Sequence, residues 1–240
     1  IILLFLILFI IVNNKDKNKK KYKIEFDNNL MIICNKKSDS KSIINIDDEK
    51  EFMEKYKQIK IYEDIHIIID STGGDISSSD AIIHILNLHE GVINIYIPKI
   101  AYSAGSMIAL CGDNIYLNTF SLMSPVDPQV DFMDDDLISV NFYIKMKRLL
   151  TLKRMSQNNI LKYYESKILY DDNIRNLKKI LARNYSDYVI RKVIKDFAYG
   201  KYPHSKQFNH EELYNMGLNI KLGIPNFIKH NYKKYCKYCN

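Results

Sequence analysis

Apolar residues fall along the chain in short bursts separated by amphipathic stretches. Leu30 to Cys34 is an apolar run of strand length. Asp47 to Lys57 spaces Phe52, Met53 and Tyr56 as one face of a helix would. Ile65 to Ile69 is apolar except for His66, the pattern of a buried strand. A Gly- and Ser-rich turn follows at Ser71 to Ser79, and Ala81 to His89 then carries Ile82, Ile85, Leu86 and Leu88 at helical spacing. Val92 to Ile97 predicts the next strand. Pro98 leads into a small-residue turn and the helical stretch Ala104 to Leu110. Ile115 to Leu117 and Ser121 to Met123 predict two more short strands. From Asp134 to Phe197 the text is helical and Lys-rich, and Tyr202 to Gly217 reads as a last loop and helix. Strands alternating with helices predict an α/β fold with a parallel sheet layered by helices.

The N-terminus breaks this pattern. Residues 1–12 are wholly apolar. As a helix they reach only about 18 Å, at about 1.5 Å per residue, against a hydrocarbon core of about 30 Å. They predict the end of a longer membrane anchor or the centre of a signal segment, with a buried strand as the plainer alternative. No small-residue cleavage site follows. Residues 13–23 form a basic linker rich in Lys. The expectation is a single-pass N-terminal membrane anchor.

Composition changes this picture little. The 240 residues are 47% hydrophobic and 26% charged, which excludes a disordered chain and a polytopic membrane protein. The net charge of +7 is modest and partly concentrated in that linker, so no nucleic-acid partner is expected. Cys34, Cys111, Cys236 and Cys239 are too few for a disulfide scaffold. Cys236-Lys-Tyr-Cys239 is a lone CxxC that lacks an evident second ligand pair; it reads as two thiols in a tail, and no metal is expected. No phosphate-binding GxxxxGK[ST] is present, and no cofactor is expected.

The candidate chemistry lies in two small-residue clusters, each directly after a predicted strand: Asp70-Ser71-Thr72-Gly73-Gly74-Asp75 and Ala101-Tyr102-Ser103-Ala104-Gly105-Ser106. Catalytic groups collect where parallel strands hand over to helices, because backbone N–H groups are free there. Ser103 would open its helix, with Ala104 and Gly105 leaving room for a substrate. The N–H groups of Gly74 and Ala104 could hold an oxyanion. The same residues also fit a plainer role, with Ser103 as a helix cap and Gly73-Gly74 as a tight turn.

The stretch Ile65 to Val130 resembles the Clp-protease and crotonase superfamily, and within it the serine dehydrogenase proteinase family. The residues that carry the resemblance are Ser71-Thr72-Gly73-Gly74, the run Pro98 to Ile115 through Ala101-Tyr102-Ser103-Ala104-Gly105-Ser106, and Ser124-Pro125-Val126-Asp127-Pro128-Gln129. Weaker likeness runs from about residue 43 to 220, including His204 ahead of Glu211-Glu212 and Gly217-Leu218. The resemblance implies a ClpP/crotonase-like domain of repeated ββα units over residues 24–225, with layered sheets and a helical C-terminal region. Residues 226–240 remain as a basic Tyr/Cys tail. It also implies a membrane-associated serine peptidase, a protein or peptide substrate and a homo-oligomer.

The chain departs from the family's pattern at Thr72, where a Pro is usual, and at Ala104, where a Gly is usual. No histidine stands where ClpP peptidases carry their base; Asp127 and Pro128 fall there. Ser103 still needs a base. Related peptidases use a Lys on a later helix, and Lys145 (145 minus 103 is 42 residues on) and Lys147 match that distance. Lys145 stands between apolar neighbours that could desolvate it. His204 is the other candidate, and Asp127 is expected to hold a turn or an oligomer contact near the site, as Gly73 and Gly105 support the site's backbone. Two further readings stay open: an inactive ClpP-like scaffold, and a crotonase-type enzyme acting on a coenzyme A thioester.

Overall fold

The computed structural model of the chain describes residues 29–34, 43–131 and 137–236. Nine strands and eight helices follow in these residues: β1 (Leu30–Cys34), α1 (Ile46–Tyr56), β2 (Ile65–Asp70), α2 (Ile76–Leu88), β3 (Ile93–Ile97), β4 (Ile100–Ala101), α3 (Ala104–Ala109), β5 (Asn114–Leu117), β6 (Leu122–Met123), β7 (Gln129–Asp131), β8 (Leu137–Ser139), α4 (Val140–Leu149), α5 (Gln157–Leu181), α6 (Asp187–Phe197), α7 (His210–Asn215), β9 (Ile220–Leu222) and α8 (Asn226–Tyr235). The main sheet runs β1-β2-β3-β5-β9, every pair parallel. β4 and β6 form a short parallel pair at its end, and β7 and β8 an antiparallel ribbon.

The sheet is covered on both faces, which explains its nearly continuous isoleucine strands. Ile65, Ile67 and Ile69 of β2 join Ile93, Ile95 and Ile97 of β3 in the larger core, under α2, α5 and α6. Ile68 and Tyr96 point the other way, against Ile228 and Tyr232 of α8. Burying one such isoleucine stabilises the fold by about 1.5–3 kcal/mol. Near the end of the long α5, Arg183 closes the amino-terminal edge of the sheet: its Nη2 donates to Gly91 O at 2.7 Å and its Nε to Asp113 Oδ1 at 3.0 Å.

The predicted α/β class, with its parallel sheet and helices, stands. Three local expectations change. The stretch after Asp134 opens with the short β8 strand before its helices begin. Ile220–Leu222 supplies the fifth strand of the sheet, and three residues are too few for alternation to announce one. Residues 226–235, expected as part of a tail, form α8, and Cys236 is disulfide-bonded to Cys34 rather than being a free thiol. Cys239 lies outside the described residues. The membrane localisation is also corrected: among the described residues no helix is long and apolar enough to cross a membrane. The apolar run 1–12 and the linker 13–23 lie outside those residues.

The face under α8 contains a titratable group. His66 Nδ1 is hydrogen-bonded to Tyr96 Oη at 2.8 Å. Burial lowers the pKa of His66 from 6.5 to about 4, with the Asp64 charge opposing the shift. The unfolded chain therefore takes up this proton before the folded one does. Stability is expected to fall as pH drops from 6.5 to about 4, by up to about 3 kcal/mol from this group, and then to level off. Urea midpoints measured across that range should flatten in His66→Gln; an unchanged slope would remove His66 as the cause.

Candidate active site

Two strand-to-helix corners meet at the carboxyl end of the sheet. The first follows β2. Gly73 has φ +111° and Gly74 φ +155°, regions that side chains rarely adopt. A Cβ on Gly74 would lie 2.2 Å from Ile44 O, and one on Gly73 would lie 2.8 Å from Ser103 Cβ. Neither position has room for a side chain. The corner is held to the residues before α1: Ile44 N–H donates to Gly73 O at 2.7 Å, and Asp75 N–H to Ile44 O at 2.9 Å. Ser71 Oγ steadies the turn from inside, accepting from Gly73 N–H at 3.1 Å. Asp75 then caps α2 by accepting from Ser78 N–H at 2.8 Å.

The second corner follows β4. Among the described residues, Ser103 is the one non-glycine with positive φ (50°, with ψ −117°). Its hydroxyl makes no capping hydrogen bond to α3, so the plainer role as a helix cap does not hold. What fixes it is its backbone. Ser103 N–H donates to Ser124 Oγ at 2.8 Å, and its carbonyl accepts from Met107 N–H at 3.1 Å. Ser106 Oγ in turn accepts from Ser124 N–H at 3.1 Å and donates to Ala101 O at 2.5 Å. Gly105 packs on Ser71, where a Cβ would find 3.5 Å. The N–H groups of Gly74 and Ala104 take no part in the hydrogen bonds of these two corners.

Ser103, Ala104 and Gly74 line one cleft of about 140 Å³, together with Asp127 and Pro128. Asp127 is 4% exposed. Its Oδ2 accepts from Ser139 Oγ at 2.5 Å, and its Oδ1 pairs with His204 Nδ1 at 2.6 Å. Asp127 thus does more than hold a turn: it joins the loop before α7 to the cleft that contains Ser103. His204 is not itself among the cleft's lining residues. Its turn is tied to the β6 strand by the bridge between Met123 and Phe208.

Lys145 is placed differently from its expected setting. Its side chain is exposed, and its Nζ donates to Gly200 O at 2.5 Å. The apolar flanks Tyr143 and Ile144 are buried on the other side of α4. Neither Lys145 nor Lys147 lines the cleft. Sequence reasoning also missed Ser124 and Ser139, each of which orients a neighbour rather than facing the cleft. Ser124 stood in the Ser-Pro-Val-Asp-Pro-Gln motif, but nothing in the motif shows that its hydroxyl supports Ser103. Among the described residues no group of three or more His, Cys, Asp or Glu could hold a metal ion.

Comparison with known proteins agrees with this architecture. The chain is similar to a ClpP1 variant from Listeria monocytogenes, with a TM-score of 0.54 and 14% identity over 85% of this chain and 96% of that one. That likeness speaks to fold. Two uncharacterized proteins of Methanocaldococcus jannaschii are also similar: MJ1495, 25% identical over 76% of this chain, and MJ0137, 23% identical over 76%. The chain spans 60% and 62% of the length of these relatives. The model of the ClpP-like SDH-type serine proteinases matches residues 40–237, which takes in both corners, the cleft and α8. The chain belongs to the ClpP-like SDH-type serine proteinase family.

Proposed function

We propose that the protein is a serine peptidase that hydrolyses peptide bonds through Ser103, with His204 as its general base and Asp127 as the residue that orients His204. The observation that carries this reading is the left-handed backbone of Ser103, which holds an uncapped hydroxyl in the cleft bordered by Asp127. A non-glycine residue in that region costs about 1–3 kcal/mol, and such strain collects at functional sites.

The chemistry follows from the groups at hand. Ser103 Oγ attacks the scissile carbonyl carbon as its proton passes to His204 Nε2. The carbonyl oxygen becomes an oxyanion, held by the N–H groups of Gly74 and Ala104. His204 then gives its proton to the leaving amine, and an acyl group stays on Ser103. Water, deprotonated by the same ring, releases it. Asp127 accepts from Nδ1–H throughout, so the lone pair is on Nε2 and the imidazolium that forms is stabilised. The order Ser103, Asp127, His204 along the chain is that of α/β hydrolases, reached here on a different fold. His204 meets Ser103 in this scheme when substrate draws the site together, since catalytic hydrogen bonds commonly tighten only in the loaded enzyme.

Assembly into a homo-oligomer belongs to the same reading. Its support is an apolar stripe on α5, where Leu161, Tyr164 and Ile168 are 58%, 51% and 62% exposed at spacings of three and four residues.

A fluorophosphonate probe should label the protein, and Ser103→Ala should abolish labelling. His204→Ala and Asp127→Asn should each slow it by about 10²–10⁴-fold, the usual range for a positioned proton acceptor. Lys145→Ala should label at the parent rate. A folded sample that resists the probe would overturn the peptidase reading, and loss of labelling in Lys145→Ala alone would move the base to Lys145. Sedimentation should show an oligomer that Leu161→Lys with Ile168→Lys dissociates; a monomeric parent would refute the assembly.

A further inference from the structure

The cleft beside Ser103 has an acidic wall that the proposed chemistry does not use. Asp80 on α2 and Asp172 on α5 line it together with Ser103. Among the described residues that line it there is no Lys, Arg or His. Among the described residues Asp172 pairs with Arg175 on the same helix at 3.0 Å, and the two side chains are 49% and 75% exposed. Such a pair neutralises little, because water screens it. Asp80 is partly buried, and the charges acting on it are those of Asp172 and Asp75. Burial first, and then these like charges, raise its pKa. Asp75 already accepts from Ser78 N–H as the cap of α2. Among the described residues, the cleft therefore has carboxylate charge with no cation pointed into it.

The rest of the lining gives this charge a shape. Ile76, Met107 and Leu169 supply apolar surface in the same cleft as Ser103 and the carboxylates. A long side chain with an aliphatic stem and a cationic head satisfies both parts, with its methylenes against the apolar wall and its head at Asp80 and Asp172. A carboxylate or an aliphatic side chain satisfies one part at most. A metal ion is a poorer match, since among the described residues no group of three or more ligating side chains surrounds such a point.

We propose that this cleft selects substrates with a Lys or Arg side chain at the residue whose carbonyl Ser103 attacks, with Asp80 as the specificity-determining residue and Asp172 assisting it. The inference rests on the reading of Ser103 as the nucleophile. A carboxylate in a half-buried site attracts a cation strongly and repels an anion, so the selection is by charge as well as by shape.

The test uses peptide diphenyl phosphonates, which an activated serine hydroxyl attacks at phosphorus, expelling phenol and leaving a Ser103–phosphonate ester. Probes with Lys, Leu or Glu side chains at the reacting residue are compared on the full chain by the rate of Ser103 modification. The Lys probe should react at least about tenfold faster than the Leu probe, the ratio that one modest charge interaction provides, and the Glu probe slowest. Asp80→Asn should bring the Lys-to-Leu ratio towards one, and Asp172→Asn should lower it by less. Equal rates with the Lys and Leu probes, or a ratio unmoved by both variants, would overturn the inference while leaving Ser103 a nucleophile. Failure of every probe, a plain fluorophosphonate included, would overturn the peptidase reading and this inference with it.

Discussion

The site depends on a backbone conformation that side chains avoid. Ser103 sits at φ 50°, and the turn that holds it there cannot be relaxed from either side. On one side Ser124 Oγ takes its N–H, and Ser124 is itself hydrogen-bonded to Ser106 inside the same corner. On the other side Gly73 lies so close that even a methyl group would collide with Ser103 Cβ. Gly74 is pressed in turn against the backbone of Ile44. The strain at Ser103, about 1–3 kcal/mol, is thus offset by contacts from three separate segments. The consequence is chemical. A serine that capped its helix would spend its hydroxyl on a backbone N–H, whereas this serine leaves the hydroxyl to the cleft.

A second constraint is electrostatic. Asp127 is a buried carboxylate, and a buried charge without partners costs several kcal/mol. Ser139 and His204 supply one partner to each oxygen. Because Asp127 accepts at Nδ1 of the ring, His204 is held with its proton on that nitrogen, and Nε2 is left as the acceptor. The same contact links distant parts of the chain, since Ser139 opens α4 and His204 precedes α7. Asp127 lines the cleft together with Asp80 and Asp172.

Much of this was legible in the sequence, for identifiable reasons. The apolar runs at Ile65 and Val92 fixed two central strands, because a strand covered on both faces leaves no ambiguity of face. Gly73, Gly74 and Ser103 stood out because small residues after a strand have few other uses in a chain with eight glycines. What stayed hidden depended on contacts distant in sequence. The pairing of Asp127 with His204 spans 77 residues, and no local pattern distinguishes that His from a surface one. Lys145 misled because its neighbours are apolar in sequence, while a helix turns successive residues to different sides and left Lys145 outside. β9 and α8 were obscured by Lys and Tyr, whose long side chains cover apolar surface while reading as polar.

α8 shows how a segment on the far face of the sheet takes part in the site. Tyr232 donates from its hydroxyl to Asp70 Oδ2, and Cys236 is bonded to Cys34. Cys34 and Asp70 are register partners in β1 and β2, so both ties hold α8 to the same level of the sheet. Asp70 is the last residue of β2, and the next residues are Ser71 and the Gly73-Gly74 corner. The Gly73-Gly74 corner therefore has its incoming strand clamped from the back face by α8 and its outgoing end clamped to Ile44 before α1. A corner whose glycines have the widest backbone freedom of any residue needs such clamps, because the same freedom that admits φ +155° would otherwise let the Gly74 peptide reorient. In the proposed chemistry, the precision required of a hydrogen-bond donor at an oxyanion would be supplied by elements outside the cleft's lining.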